Sequence, residues 1–243
     1  ERTHIETEAT KLAYDARNRL ISDPRVFDAT SEMTSEQLAS DLANKISMNR
    51  VIDDVSAIAE EVHKDTIYIT VVDKDRMSVS LIYSIFHGFG SGIASEKFGV
   101  LFQNRGAGFN LVPGHFNEYG PNKRPMHTII PAIVKEKGLI KMPFGVMGGQ
   151  YQATGHARIL SNIYDFGMEI QTALDAPRSF FENGSLRIER GYSERTVQKL
   201  SSLGHSIDQE IGPIGGAQAI KINENGVLEG ASDPRKDGSA IGY

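Results

Sequence analysis

Apolar side chains recur at helical spacing in the first fifty residues. The first run predicts a helix that ends before Asp23-Pro24, and it consists of Ile5, Leu12, Ala13, Ala16 and Leu20. A second helix is expected to begin at Thr34 or Ser35, because hydroxyl side chains cap helix N-termini, and to continue through Leu38, Leu42 and Ile46. The stretch from Arg50 to Lys64 is polar and acidic, and it predicts either a short helix or an exposed connector.

The pattern changes to that of strands at residue 66. The segment Thr66 to Val72 is dense in β-branched and aromatic residues, which favour strands. Asp73 to Arg76 is a turn candidate, and Ser78 to Phe86 is predicted to be the second strand of a hairpin. The glycine-rich run Gly88 to Gly92 is predicted to be a loop.

The remaining chain alternates between strands and helices around one long irregular segment. Residues 106–125 are rich in Gly, Pro and Asn, and loops of this length are usually functional or disordered. Strands are expected at 128–134, 139–145, 186–189 and 217–222, and helices at 150–166, 170–174 and 194–203. This order of elements predicts a layered fold with sheets between helices.

Composition narrows the classes of function. The 243 residues are 40% hydrophobic and 23% charged, which is typical of a globular protein with a sizeable core. A net charge of -5 gives no reason to expect nucleic acid or an anionic membrane as a partner, and no apolar run approaches a bilayer span. The absence of cysteine excludes disulfides and a Cys nucleophile and fits a cytoplasmic location. Because the chain begins at Glu1 without Met, a removed leader or larger segment stays open.

Thr66 is the candidate nucleophile. A threonine hydroxyl needs a base to accept its proton, and a chain cut just before Thr66 would supply that base as the new α-amine. An α-amine has a pKa of about 7.7–8.0, so a useful fraction is neutral near pH 7. The simpler interpretation is that Thr66 only begins a strand.

Two further features favour the catalytic interpretation. Gly148-Gly149 lies between a predicted strand and a predicted helix, where backbone N–H groups can stabilise an oxyanion. Ser84 lies on the strand expected to pair with the Thr66 strand, so its hydroxyl could reach the nucleophile. A tight turn and an ordinary strand serine are the alternatives for these positions.

Cofactors and metals are not expected. The seven histidines lack a spacing such as H-E-x-x-H, and the run Gly88 to Gly92 lacks the third glycine and the helix of a dinucleotide site.

Several short motifs, taken in order, resemble the γ-glutamyltranspeptidase family along nearly the whole chain. They are His4-Ile5-Glu6, Ala13-Tyr14, Asp23-Pro24, Thr66, Val71-Val72-Asp73-Lys74-Asp75, Phe89-Gly90-Ser91-Gly92-Ile93, Gly120-Pro121-Asn122-Lys123-Arg124-Pro125, Gly148-Gly149, Asp175-Ala176-Pro177-Arg178 and Ala231-Ser232-Asp233-Pro234-Arg235.

The resemblance implies a proenzyme that cuts itself before Thr66 and then attacks an amide, such as the γ-glutamyl bond of glutathione, to form an acyl-enzyme. It assigns the nucleophile to Thr66, its supporting hydroxyl to Ser84 and the oxyanion hole to Gly148 and Gly149. The implied fold is α+β, the four-layer αββα sandwich of N-terminal-nucleophile hydrolases, with this chain as its C-terminal half.

The same resemblance divides the chain into two parts with different roles. Residues 1–65 would end a helical large subunit, and residues 66–243 would form the small catalytic subunit. The partners implied are a small amide substrate and the large-subunit segment before Glu1. A homo-oligomer of such heterodimers is a further arrangement that stays open.

The substrate pocket departs from the family pattern. The aspartate that binds a substrate α-amine in the family falls on Gly108, and the paired serines that bind the glutamyl carboxylate become His127 and Thr128. An ammonium group in a partly buried pocket needs a counter-charge, so we expect weaker γ-glutamyl binding. We assign substrate binding to Arg105, His127, Thr128 and Gln150, and Arg105 and His127 suggest an anionic or polar carbonyl substrate. The alternatives are that Arg105 anchors the loop at the surface and that His127 makes a structural hydrogen bond at the start of a strand.

Residues around these positions also resemble the oxamate amidohydrolase branch of the superfamily: Gln103-Asn104-Arg105-Gly106, Met126-His127-Thr128 and Met147-Gly148-Gly149-Gln150. Hydrolysis of another small amide is therefore the first alternative function. A catalytically silent family member that binds a metabolite is the second.

Overall fold

The computed structural model describes residues 1–53, 66–209 and 212–243, and within them the chain is α+β. The helices are α1 Arg2–Leu20, α2 Thr30–Met33, α3 Glu36–Ala43, α4 Gln152–Tyr164, α5 Ile170–Asp175 and α6 Glu194–Ser202. The strands are β1 Thr66–Val72, β2 Ser78–Ser84, β3 Ala132–Glu136, β4 Leu139–Met147, β5 Ser179–Glu182, β6 Ser185–Ile188, β7 Ile207–Asp208, β8 Gly216–Ile222 and β9 Leu228–Ser232.

The described residues fall into two compact units. The first unit comprises residues 1–53, 105–127, 177–209 and 212, and the second comprises residues 66–104, 128–176 and 213–243. The first unit contains α1, α2, α3, α6 and the three-stranded sheet β5-β6-β7. The second contains the hairpin β1-β2, the four-stranded sheet β3-β4-β8-β9, α4 and α5.

Helix α1 is where the sequence predicted it. Its buried side includes Leu12 and Ala16 of the predicted apolar run together with polar residues such as His4, Glu8 and Lys11, whereas Ile5 and Ala13 are exposed. The helix ends before the predicted Asp23-Pro24 stop, since Ile21 is already extended. The predicted position of the helix is therefore confirmed, and its buried side combines apolar residues of the run with polar residues that the apolar pattern does not include.

The second predicted helix is confirmed as α3. The Ser35 hydroxyl caps it by accepting a hydrogen bond from the Leu38 N–H at 3.1 Å. The helix ends at Ala43, short of the predicted Ile46. The prediction for residues 50–64 falls largely on residues 54–65, which lie outside the described part.

The predicted hairpin at residue 66 is confirmed as an antiparallel pair. The register joins Thr66 to Ser84, Tyr68 to Ile82 and Val72 to Ser78. The inner face of the hairpin packs on β4, because Tyr68 and Ile82 form a buried cluster with Met147. A Cβ at Gly145 would lie 2.3 Å from the Tyr68 ring, so this packing requires glycine at position 145.

The outer face of the same hairpin is apolar and exposed. Its alternating side chains form three cross-strand pairs, each with both members between 45% and 62% exposed: Ile67 with Tyr83, Ile69 with Leu81, and Val71 with Val79. We call these six residues the exposed apolar face. A sheet with apolar residues on both faces is typical of a strand pair covered on both sides.

Several helices and strands begin at residues other than those predicted. The strand predicted at 128–134 begins only at Ala132, because Pro131 has no N–H and the Ile130 N–H binds Gln152 Oε1 at 3.1 Å. The helix predicted from Gln150 begins at Gln152, after a 3-10 turn over Gly149–Tyr151. Strands β5, β7 and β9 and helix α2 were not predicted.

No helix among the described residues is long and apolar enough to cross a membrane.

Candidate active site

Thr66 is the first residue of β1, and its side chain is 7% exposed. Directly opposite it in the antiparallel register is Ser84, the last residue of β2. The Ser84 hydroxyl oxygen accepts a hydrogen bond from the Phe86 N–H at 3.1 Å, and Phe86 has a φ of 79°. The structure thus brings Thr66 and Ser84 together as cross-strand neighbours, as the sequence predicted.

Gly148 and Gly149 connect β4 to α4: Gly148 follows the last residue of β4, and Gly149 begins the 3-10 turn that leads into α4. Their φ angles are 124° and 57°, values that favour glycine. A Cβ at Gly148 would lie 2.7 Å from Gly215 Cα, so two backbones touch here. Backbone N–H groups at a helix N-terminus suit a developing negative charge.

The hairpin that starts at Thr66 packs on the strand that leads into Gly148. This follows from the packing of Tyr68 against Met147, the last residue of β4. The second unit therefore contains all four residues predicted to be catalytic, Thr66, Ser84, Gly148 and Gly149. It also contains two of the residues predicted to bind substrate, Thr128 and Gln150, and both are buried.

Thr128 belongs to a segment that is fastened to the start of α4. The Ile130 N–H donates to Gln152 Oε1, and Gln152 is 1% exposed. Gln152 therefore orients the 128–131 segment relative to the glycine turn. No pattern in the sequence indicates this role, because an interior glutamine on a helix has no characteristic spacing.

The other two predicted substrate residues, Arg105 and His127, belong to the first unit. Arg105 starts a 3-10 turn and is 7% exposed, and burial lowers the pKa of its guanidinium. Partial desolvation of the exposed His127 side chain lowers its pKa, and the positive charge of Arg105 lowers it further. The two side chains are thus close enough for their charges to interact, and a neutral His127 beside Arg105 can donate a hydrogen bond to an anion.

Asn117 organises the loop that carries these residues. Its Nδ2 donates to Gly108 O at 2.7 Å, and its Oδ1 accepts from the Met126 N–H at 2.9 Å. A Cβ at Gly108 would lie 3.1 Å from Met126 O, so a larger residue there would displace the neighbouring backbone slightly. Asn117 was missed in the sequence, where it is one of several asparagines in an irregular loop.

One cluster among the described residues has the composition of a metal site. His4, Glu8 and His205 are all buried, and their ligand atoms lie within 4.8 Å of one another. These atoms already have partners, however: His4 Nδ1 lies 2.7 Å from His205 Nε2, and Lys11 Nζ lies 2.8 Å from Glu8 Oε1. The ammonium of Lys11 supplies the positive charge that a cation would otherwise bring.

Comparison with known proteins identifies relatives along the whole chain. The γ-glutamyltranspeptidase family model matches residues 1–243. The chain is 35% identical to a glutathione hydrolase-like YwrD proenzyme from Bacillus subtilis, over 98% of this chain and 47% of that protein. It is 34% identical to an oxamate amidohydrolase proenzyme from Klebsiella pneumoniae, over 99% of this chain and 47% of that protein.

A solved structure agrees with these relatives. The cephalosporin acylase from Bacillus halodurans superposes with a TM-score of 0.89 at 33% identity, over 99% of this chain and 45% of that chain. The chain therefore spans about half the length of the relatives it matches, and it corresponds to their C-terminal part.

The fold and these relatives define the class as the N-terminal-nucleophile hydrolases. Within that class, the chain belongs to the γ-glutamyltranspeptidase family. The predicted family and the predicted αββα fold class are confirmed.

Proposed function

We propose that this chain is the catalytic part of a γ-glutamyltranspeptidase-like enzyme that cuts itself before Thr66 and then cleaves a small amide through Thr66. The observation that carries this proposal is the placement of Thr66, a buried threonine at the start of β1 and opposite Ser84. The family membership of the chain and the proenzyme names of its relatives support it. Residues 1–65 would then belong to the end of one product of the cut, and residues 66–243 to the other.

Self-cleavage begins with the Thr66 hydroxyl. Its oxygen attacks the carbonyl carbon of residue 65, the amide nitrogen leaves and takes up the hydroxyl proton, and an ester joins residue 65 to Thr66 Oγ1. Water then hydrolyses the ester. The products are a carboxylate on residue 65 and a free α-amine and hydroxyl on Thr66.

Amide cleavage uses the new α-amine as the base. The amine takes the hydroxyl proton while Thr66 Oγ1 attacks the substrate carbonyl, and the N–H groups of Gly148 and Gly149 stabilise the resulting oxyanion. The leaving amine accepts the proton as the carbon–nitrogen bond breaks, which leaves an ester of the acyl group on Thr66. Water or an acceptor amine resolves this ester, and the hydroxyl of Ser84 orients the nucleophile.

The substrate is proposed to be a small amide that carries a carboxylate but no α-ammonium group. The buried Arg105 and the neighbouring His127 provide a positive charge and a hydrogen-bond donor, and Gly108 cannot provide a counter-charge for an α-amine. The oxamate amidohydrolase relative favours this substrate class, whereas the glutathione hydrolase-like relative favours a γ-glutamyl group as the second candidate.

A substrate panel with N-terminal sequencing tests the whole proposal. The full-length protein is expected to yield a new terminus Thr66-Ile67-Tyr68 and to hydrolyse oxamate-like amides faster than a γ-glutamyl anilide or glutathione. An uncut chain without turnover of any of these would instead favour a catalytically silent protein that binds a metabolite.

Arg105→Ala is expected to lower kcat/KM about 10–100-fold for a carboxylate-bearing amide, because a charged hydrogen bond contributes about 1.5–3 kcal/mol. For a neutral analogue such as oxamide, kcat/KM should change little, and self-cleavage should proceed normally. Arg195→Ala is the matched control, since Arg195 lies exposed on α6. Equal losses on both substrates would show that Arg105 does not recognise the carboxylate.

We further propose that the N-terminal half found in the longer relatives covers the exposed apolar face of the β1-β2 hairpin. Three adjacent apolar pairs form a continuous surface that water solvates poorly. The relatives are about twice as long as this chain, so they possess the additional segment that this surface requires.

Ile69→Lys is therefore expected to reduce association of this chain with the upstream segment of its natural protein about tenfold or more, because an unpaired ammonium would be buried. Co-purification of the two segments after co-expression measures this. Leu139→Lys makes the same chemical change at an exposed apolar residue outside the face and should have no effect. Unchanged co-purification of the Ile69 variant would show that this face is not the contact.

A further inference from the structure

Ser80 is a polar residue on the inner face of the β1-β2 hairpin. Its Oγ lies 2.7 Å from the hydroxyl of Tyr68, which is 4% exposed. The same Oγ accepts a hydrogen bond from the Ala132 N–H at 3.0 Å and donates to Phe144 O at 3.4 Å. Because a serine hydroxyl has one hydrogen and two acceptor positions, Tyr68 is the donor in its bond with Ser80. The Ser80 hydroxyl therefore uses all of its hydrogen-bonding capacity.

The hydroxyl of Ser80 joins two sheets of the second unit. Ser80 belongs to the hairpin that begins at Thr66, whereas Ala132 and Phe144 are paired residues of the four-stranded sheet. The chain enters this sheet through residues 130–132, which we call the entry to β3. A hydrogen bond constrains direction as well as distance, whereas apolar packing is not directional. The bond from Ala132 therefore fixes the entry to β3 on the hairpin more closely than apolar contact alone.

The entry to β3 has only two backbone N–H groups, because Pro131 has none. The Ile130 N–H donates to Gln152 Oε1 at 3.1 Å, and the Ala132 N–H donates to Ser80 Oγ. Both donors are thus bound by side chains rather than by a neighbouring strand. Gln152 attaches the entry to the start of α4, and Ser80 attaches it to the hairpin.

Thr128 lies just before the entry to β3, and it is 8% exposed. It is one of the residues predicted to bind substrate, and Thr66 is the proposed nucleophile. We propose that Ser80 is a positioning residue for the substrate pocket: by holding the entry to β3 on the hairpin, it fixes Thr128 relative to Thr66. The inference rests on the proposed function, in which Thr66 attacks the substrate that Thr128 binds.

Loss of the Ser80 hydroxyl is expected to affect substrate binding rather than the nucleophile. Backbone pairing sets the register that places Ser84 opposite Thr66, and the Ser80 side chain takes no part in it. A displaced Thr128 binds the substrate less well in the ground state and in the transition state alike, so KM rises while kcat is unchanged. General destabilisation would instead lower the concentration of competent enzyme and leave KM unchanged.

The test is Ser80→Ala in the full-length precursor, assayed after self-cleavage with the amide that the unaltered enzyme cleaves fastest. We expect KM to rise about 3–10-fold, which is the effect of losing one hydrogen bond to the substrate. The value of kcat per competent site should stay within about twofold of that of the unaltered enzyme. In hydrogen exchange the Ala132 amide should lose protection, because its acceptor is gone.

Two further variants of β2 accompany this test. Ser78→Ala is the matched control, because Ser78 lies on the same face of the strand and its hydroxyl donates to Arg76 O at 3.3 Å. This control should change neither KM nor the protection of the Ala132 amide. Ser80→Cys fills the space of the serine and offers a weaker acceptor, so it should raise KM less than Ser80→Ala does.

Thr128→Val tests whether Ser80 acts through Thr128. This variant loses the Thr128 hydroxyl, and its KM should rise about 3–10-fold. When Ser80→Ala is added to it, KM should change by less than about twofold, because the contact that Ser80 positions is already absent.

Independent, multiplying increases in KM would overturn the inference, since Ser80 would then act without Thr128. A normal KM in either Ser80→Ala or Thr128→Val would also overturn it, as would a Ser80→Ala enzyme that loses kcat per competent site with KM unchanged. If the unaltered precursor stays uncut and cleaves no amide of the substrate panel, the proposed function fails instead.

Discussion

Replacing Thr66 with alanine is expected to leave the chain joined between residues 65 and 66 and to lower amide turnover at least about 10⁴-fold, because the variant lacks the hydroxyl oxygen proposed to attack both carbonyls. The backbone should tolerate the change, since alanine removes a hydroxyl and a methyl group at the end of a strand whose register is set by six further pairs. A denaturing gel with N-terminal sequencing detects the cut, and hydrolysis of a small amide measures the turnover.

Two further variants serve as controls for this prediction. Thr66→Ser keeps a hydroxyl and should still cut itself, more slowly, because the missing methyl group leaves the side chain less constrained. Thr70→Ala removes another hydroxyl of β1, which donates a hydrogen bond to Val79 O at 3.0 Å. This variant should cut itself at the normal rate. A Thr66→Ala protein that is found cleaved before residue 66 would transfer the nucleophile to another residue.

The hairpin β1-β2 was predictable because its pattern is local. Side chains alternate between the two faces along Thr66–Val72 and Ser78–Ser84, and a turn joins the two segments. This pattern specifies both strands and restricts the register to one close to the pairing of Ser84 with Thr66. The same is true of the glycine turn, since Gly148 needs a positive φ and lies at the junction of a strand and a helix.

The polar residues on the buried side of α1 were not predictable from hydrophobicity. That helix buries a charged pair and a histidine whose partners, Ile52, Ser47 and His205, are distant in sequence. A pattern of apolar residues cannot reveal burial that depends on hydrogen bonds to remote backbone. The polar residues Gln152 and Asn117 were missed for the same reason, because their targets are backbone groups of other segments.

The short strands were missed because their pairing partners are distant or their pattern is weak. Strand β7 has two residues, and it exists through parallel pairing with β6 about twenty positions earlier in the chain. Strand β9 contains Gly230 and polar residues, and only its pairing with β8 makes it extended. Tertiary context, rather than propensity, thus determines these elements.

Gly148→Ala is expected to reduce kcat at least about 100-fold with KM changed less than about threefold, because an oxyanion donor acts in the transition state and not on the bound substrate. The cause is steric. A Cβ at this position would lie 2.7 Å from Gly215 Cα and 3.3 Å from Gly215 N, so the turn must move and its N–H groups must move with it. The backbone φ of 124° adds strain of about 1–3 kcal/mol for any residue with a side chain.

Gly167→Ala is the control that separates the loss of the oxyanion donors from the effect of backbone strain alone. Gly167 also has a positive φ, 65°, but a Cβ there would meet nothing within 4 Å, and it lies in the turn after α4. The amplitude of the acyl-enzyme burst gives the concentration of competent active sites. Dividing the steady-state rate by this concentration gives kcat per competent site, so misfolded protein in the preparation does not lower the value. If Gly148→Ala keeps a kcat per competent site within about threefold of the Gly167 variant, the oxyanion is stabilised elsewhere, because removing one such donor costs about 100-fold or more.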